Sequence, residues 1–108
     1  MAFTVQFAVS ARNDLRAIHA YISERDSKEN ADYVAREIVR TALSLRDAPN
    51  RGSYPPELMA GGIRTYRQVF FKPYRILYRV RGNTVVVAVI ADGRRDMDSL
   101  LARRLRPD

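Results

Sequence analysis

Phe3-Thr4-Val5-Gln6-Phe7 alternates apolar and polar positions with period two, which predicts a short half-buried strand. Behind it the period lengthens. Leu15, Ile18 and Ile22 recur at helical spacing through about Glu24, with Ser10 as predicted N-cap and Asp14 in the first turn, where a carboxylate suits the helix dipole. Ser27 predicts a second cap. Ala31, Val34 or Ala35, Ile38, Ala42 and Leu45 then carry an apolar stripe until Pro49 stops it. Two amphipathic helices with so short a connection predict an antiparallel hairpin.

Residues 50–61 hold Gly52, Pro55, Pro56 and Gly61 without periodicity and predict an ordered surface loop. Three runs rich in Tyr, Val, Ile and Phe follow, predicting strands over Ile63–Phe71, Tyr74–Arg81 and Thr84–Ile90. Lys72-Pro73 and Gly82-Asn83 mark tight turns. Asp96 caps a short terminal helix through Met97, Leu100, Leu101 and Leu105, ending before Pro107. The order is β-α-α-β-β-β-α: an α+β fold, one domain over residues 1–108, with the helical hairpin packed on a mainly antiparallel four-stranded sheet.

The Gly82-Asn83 turn sets parity. It places Val80 opposite Val85, Tyr78 opposite Val87, Ile76 opposite Val89 and Arg75 opposite Ile90. Tyr74, Ile76, Tyr78, Val80, Val85, Val87 and Val89 then share the face that the hairpin covers. Arg75, Leu77, Arg79, Val86, Ala88 and Ile90 share the other, an aliphatic floor with arginines standing in it, which predicts cover by the terminal helix, a partner, or both. A three-residue loop at Lys72-Pro73 would put Arg67 beside Arg75 on that open face. A two-residue loop would put it under the hairpin, where an unpaired guanidinium is costly, so the first is expected.

Charge sharpens this picture. The chain carries 19 basic and 12 acidic residues, net +7. Up to Gly61 the two signs balance; beyond it eleven basic residues face four acidic ones, and all but Lys72 are arginine. Arginine's planar fork suits phosphate and carboxylate, so the bias points to a polyanion or an acidic protein partner. Cysteine is absent, which leaves no disulfide, thiol nucleophile or zinc knuckle. No secretion signal opens the chain, and its longest apolar stretch, Val85 to Ala91, is too short to span a bilayer, so a cytoplasmic protein without membrane association is expected. His19, the only histidine, lies at the edge of the first helix's apolar stripe and reads as a boundary residue.

Several stretches together resemble the RelE/ParE superfamily of type II toxins. They are Asp14-Leu15-Arg16-Ala17-Ile18 with Tyr21-Ile22, Ala48-Pro49-Asn50-Arg51-Gly52, Gly62-Ile63-Arg64-Thr65-Tyr66-Arg67, Tyr74-Arg75-Ile76-Leu77-Tyr78-Arg79-Val80 and Ala91-Asp92-Gly93-Arg94-Arg95-Asp96-Met97. The resemblance implies a growth-inhibiting toxin neutralised by a cognate acidic antitoxin. RelE-like members are similar to ribosome-dependent mRNA endoribonucleases; ParE-like members are associated with DNA gyrase poisoning; a toxin fold retained as an inactive binding module is a third reading. On the RelE pattern, Arg67, Arg75 and Arg95 would stabilise phosphorane charge. A second basic residue falls on Val69 and the acid/base residue near Leu101, so the proton-transfer groups are missing. That, with the long hairpin and the Arg94-Arg95 tail, implies the ParE side, without intrinsic catalysis, metal or cofactor.

Arg75, Arg79, Arg94 and Arg95 are accordingly expected to contact the target, gyrase or ribosome-bound mRNA. Arg94 and Arg95 also flank Asp92 and Asp96, which allows local ion pairing instead. Leu77, Val86, Leu100, Leu101, Arg103 and Arg104 are expected to meet the antitoxin. Arg103, Arg104 and Arg106 also suit a helix C-terminus.

Overall fold

The computed structural model describes residues 2–105, so Arg106 and Pro107 of the expected tail lie outside the described residues. The elements are β1 (Thr4–Phe7), α1 (Val9–Arg25), α2 (Lys28–Leu43), a 3-10 turn at Ser44–Arg46, α3 (Pro56–Met59), β2 (Arg67–Phe71), β3 (Tyr74–Arg81), β4 (Thr84–Asp92) and α4 (Met97–Arg104). The sheet runs β1-β4-β3-β2 and is mixed: β1 lies parallel to β4, while the other two pairings are antiparallel. The α+β fold with its hairpin, four-stranded sheet and terminal helix is as the sequence predicts.

Two caps are where the side chains said. Ser27 Oγ accepts from Asn30 N–H at 3.0 Å, and Asp96 accepts from Ser99 N–H at 3.2 Å. Ser10 is not a cap. Helix α1 begins two residues earlier, because Ala8 N–H bonds Val87 C=O at the strand end and Ala8 C=O accepts from Arg12 N–H. Asp14 is thereby moved out of the first turn and turned toward the sheet. Ala31, Val34, Ile38, Ala42 and Leu45 are buried as their spacing predicts. His19 Nε2 lies 2.6 Å from Asp32 Oδ1, a link across the hairpin, and Asp32 Oδ2 accepts from Lys28 Nζ at 2.9 Å. Those two hydrogen bonds, His19 first, hold the Asp32 carboxyl below its usual range.

The loop over residues 50–61 contains a helical turn the sequence did not announce. Gly62, at φ +77°, closes α3 with Gly62 N–H on Met59 C=O and Ile63 N–H on Leu58 C=O. That cap keeps residues 63–66 out of the sheet, so β2 starts at Arg67 rather than Ile63.

A register shift between Leu77 and Tyr78 changes the expected faces. Tyr78 still pairs with Val87, but Leu77 pairs with Val89 and Ile76 with Ile90, so Ala88 is the extra residue of a bulge. Val89 and Ile90 therefore exchange sides. Ile90 joins Ile76, Tyr78, Val85 and Val87 under the hairpin, and Val89 joins Leu77, Ala91, Met97, Leu100 and Leu101 under α4. The bulge frees backbone groups, and side chains take them. Asp14 Oδ2 accepts Ile90 N–H at 3.0 Å, Arg104 donates to Ala88 C=O at 3.0 Å, and Arg104 grips Asp14 at 2.8 and 2.9 Å. One ion pair thus ties α1, β4 and α4 together.

Tyr78, wholly buried, donates its hydroxyl to Pro49 C=O at 2.7 Å and accepts Gly52 N–H at 3.1 Å. Burial pushes its phenol above the ordinary value, so it stays a donor. A Cβ at Gly52 would stand 2.6 Å from that hydroxyl and 2.7 Å from Gln68 O. Gly52→Ala is therefore expected to destabilise the fold by about 2–3 kcal/mol through overpacking. Tyr78→Phe should cost about 1–2 kcal/mol for the orphaned groups. Urea unfolding followed by circular dichroism measures both, and an unchanged midpoint for Gly52→Ala would contradict this packing.

Candidate functional site

Arg75 is the residue on which the arginine-bearing face was expected to turn, and its surroundings differ from that expectation. It is only 8% exposed. Its guanidinium forks onto Glu57 of α3, Nη1 to Oε2 at 2.9 Å and Nη2 to Oε1 at 2.7 Å, while Nε donates to Gln68 Oε1 at 2.8 Å. A Cβ at Gly93 would stand 2.9 Å from its Cδ, so the β4–α4 connection passes directly over the arginine stem. The expected open site is closed by the chain's own residues. Physically, Glu57 was invisible as a partner because it lies 18 residues away on a helical turn the loop's composition did not reveal.

Arg67 is corrected as well. Phe71 pairs with Tyr74, so the β2–β3 loop has two residues, and Arg67 stands opposite Tyr78 on the hairpin side. Its cost there is relieved at the margin of the core. Nη1 donates to Gly52 C=O at 2.9 Å and Nη2 to the Tyr54 hydroxyl at 3.1 Å, with the guanidinium 4.5 Å from that ring's centre. Arg67 and Arg75 thus lie on opposite faces, and Arg95 sits exposed in the loop before α4. The three arginines that a RelE-like phosphorane site needs do not converge.

The expected antitoxin contacts divide. Leu77, Leu100 and Leu101 are buried within the chain's own second core, and Arg104 is engaged by Asp14, so these four are unavailable to a partner in this arrangement. Val86 is half-buried and Arg103 exposed. Of the expected target contacts, Arg79 is half-buried beside Tyr66, its guanidinium 6.0 Å from the ring centre and its buried Nε without a partner among the described residues. Arg94 is 78% exposed yet pairs with Asp92 through Nε and Nη2 at 2.9 and 2.6 Å. That pairing is the leading cause holding the Asp92 carboxyl below its usual range.

What the sequence did not mark is a cleft of about 350 Å³ between α1 and the end of β4. Ala17, Ile18 and Tyr21 form one wall, Tyr74 and Ile90–Asp92 the other, and Arg94 and Arg95 the rim. Tyr21 is 58% exposed with the Arg25 guanidinium 4.6 Å from its ring centre. The cleft exists because β1 ends at Phe7, opposite Val87, while β4 continues five residues further. Among the described residues there is no His/Cys/Asp/Glu group arranged for a metal ion, and no helix is long and apolar enough to cross a membrane.

This arrangement, a mixed sheet with a helical hairpin on one face and a short terminal helix on the other, recurs in solved structures. The chain is similar to the structure of the chromosomal ParDE toxin–antitoxin system from P. aeruginosa, at 20% identity and TM-score 0.71, covering 84% of this chain and 96% of that one. It is also similar to the toxin–antitoxin complex RelBE2 from Mycobacterium tuberculosis (21% identity, TM-score 0.62, 85% and 99% covered). A third similar structure is a free, doubly arginine-substituted RelE toxin from E. coli (12% identity, TM-score 0.65, 97% and 96% covered). At such identities these show the shared fold. Among curated proteins none matches the chain in sequence. The family itself is given by the sequence match over residues 5–97: the chain belongs to the ParE toxin family of type II toxin–antitoxin systems, parDE.

The Arg75–Glu57 pair has a measurable signature. Arg75's hydrogen bonds, partly opposed by burial, hold the Glu57 carboxyl below its ordinary value of 4.5. A depressed folded-state value contributes stability that is fully present above the unfolded value and is lost as pH falls through the folded one. Glu57→Gln is expected to lower stability at pH 7 by about 2–3 kcal/mol, since it strips a largely buried guanidinium of its counter-charge. It should also flatten the fall in urea midpoint below pH 4.5. A midpoint within error of the parent at pH 7 would show that the pair is not structural.

Proposed function

We propose that this chain is the toxin of a cytoplasmic type II pair, that it arrests growth by poisoning DNA gyrase, and that a cognate acidic antitoxin neutralises it. The ParE family match over residues 5–97 is the observation that carries the reading. The geometry favours binding over hydrolysis. Arg75 spends its guanidinium on Glu57 and Gln68, and Arg67 faces the opposite side of the sheet, so these two and Arg95 do not surround one phosphate-sized position. Arg79, Arg94 and Arg95 remain as the arginines for target contact, and Val86 and Arg103 as antitoxin contacts from the sheet face and α4. An antitoxin fits the charge: the surplus of +7 is concentrated after Gly61.

Induced expression in a bacterium tests the target. Filamentation with linearised plasmid DNA is expected. A rapid stop of protein synthesis with cut mRNA would instead assign the RelE-like ribonuclease activity, and unimpeded growth at a verified protein level would overturn the toxin reading. Arg95→Glu is expected to reduce plasmid linearisation at least about tenfold with an unchanged unfolding midpoint, because Arg95 makes no side-chain hydrogen bond or ion pair among the described residues. Unchanged linearisation would remove Arg95 from the target contact.

A further inference from the structure

The unclaimed edge of β4 carries an inference that goes deeper into the antitoxin reading and rests on it. In an antiparallel ladder the N–H and C=O of one residue point to the same side, and alternate residues face alternate neighbours. Ile90 N–H points away from β3, since it bonds Asp14. Ile90 C=O and Asp92 N–H must therefore point the same way, into the cleft. The groups before them are taken: Val87 C=O by Ala8 N–H, Ala88 C=O by Arg104 and Ile90 N–H by Asp14. Ile90 C=O and Asp92 N–H have no partner among the described residues. They are the acceptor and donor that flank Ala91.

That spacing suits a strand added opposite Ala91. In a parallel ladder a residue opposite Ala91 donates its N–H to the residue before, Ile90, and accepts from the residue after, Asp92. An antiparallel strand would reach the same two groups through the residues on either side of the one opposite Ala91, whereas a parallel strand reaches both through a single residue. Parallel is also the direction of β1, so an incoming segment would continue the line that β1 abandons at Phe7. Side chains on either side of the central residue would face Ala17, Ile18, Tyr21 and Tyr74, an apolar and aromatic slot that stays open to solvent. Arg95 on the rim makes no ion pair among the described residues, whereas Arg94 is already paired with Asp92.

We propose that a short extended segment of the acidic antitoxin adds to the sheet here as a parallel strand beside Ile90–Asp92, with apolar side chains in the α1–β4 cleft and a carboxylate on Arg95. The charge of the rim and the net +7 of the chain select an acidic partner over a second copy of this basic chain, which would bring like charge against Arg95. The segment spans only about four residues, so the backbone pair serves chiefly to fix register while the cleft and Arg95 supply selectivity.

The test uses the full chain and the protein encoded by the adjacent gene. Amide exchange by NMR reads the Asp92 N–H directly. It is expected to exchange quickly in the lone chain and to slow at least about tenfold in the complex. Ala17→Arg fills the cleft from an exposed helix position without loss of helix propensity, and Arg95→Glu reverses the rim. Each is expected to weaken the complex at least about tenfold, while Arg36→Glu on the exposed side of α2 leaves it unchanged. A complex of unaltered affinity in both cleft variants, or an Asp92 amide still fast within it, would overturn this inference and leave the antitoxin reading standing. An Asp92 amide already slow in the lone chain would assign the edge to the chain itself or a second copy, and would overturn it too. Failure of the two proteins to associate at all would overturn both.

Discussion

A guanidinium buried as deeply as Arg75 on the face of a sheet is costly without a counter-charge, and Arg75 obtains one by drawing the loop after α2 onto the sheet. Glu57 arrives on a single helical turn, Gln68 presents its amide from β2, and the connection to α4 passes over the stem at Gly93. The apolar residues around this clamp are then sealed as well, with Leu58 of α3 joining Leu77, Val89, Met97, Leu100 and Leu101. Within this second core α4 is held by the apolar cluster together with the Asp14–Arg104 pair, and the Arg75–Glu57 clamp borders it. Removing either partner costs far more than the pair contributes, because what remains is a stranded ion.

The bulge at Ala88 is the second constraint, and it lies in the neighbouring strand, β4. An extra residue reverses the parity of everything after it, which sends Ile90 under the hairpin and Val89 under α4. Asp14 and Arg104 stabilise the reversal by supplying what the ladder no longer does. Arginines that look like a cationic surface in sequence thus divide into those that hold the fold, Arg67, Arg75 and Arg104, and those left at the surface, among them Arg94, Arg95 and Arg103. Net charge alone does not separate the two groups.

This division sets how much was readable in advance. The hairpin, its Ser27 cap, the strands through Gly82-Asn83 and the Asp96 cap each rest on contacts a few residues apart, and local spacing expresses them. Tyr78 opposite Val87 was legible because the turn counts outward from a known point. The count failed one residue later, since a bulge carries no local mark on Ala88, whose neighbours are equally apolar. Glu57 and Asp14 meet their arginines across 18 and 90 residues, and nothing near either position names the partner. The α1–β4 cleft was hidden for the same reason: it depends on the difference in length between two strands far apart in the chain.

Replacing the clamp wholesale tests the account most directly. Arg75→Met, Glu57→Leu and Gln68→Leu together exchange a buried polar cluster for apolar side chains, a change proteins often accept. With Arg75 holding structure rather than touching a target, the triple variant should fold and still arrest growth on induced expression. A variant that folds with the parent's circular dichroism spectrum yet leaves growth untouched would place Arg75 in the toxic contact and contradict the account.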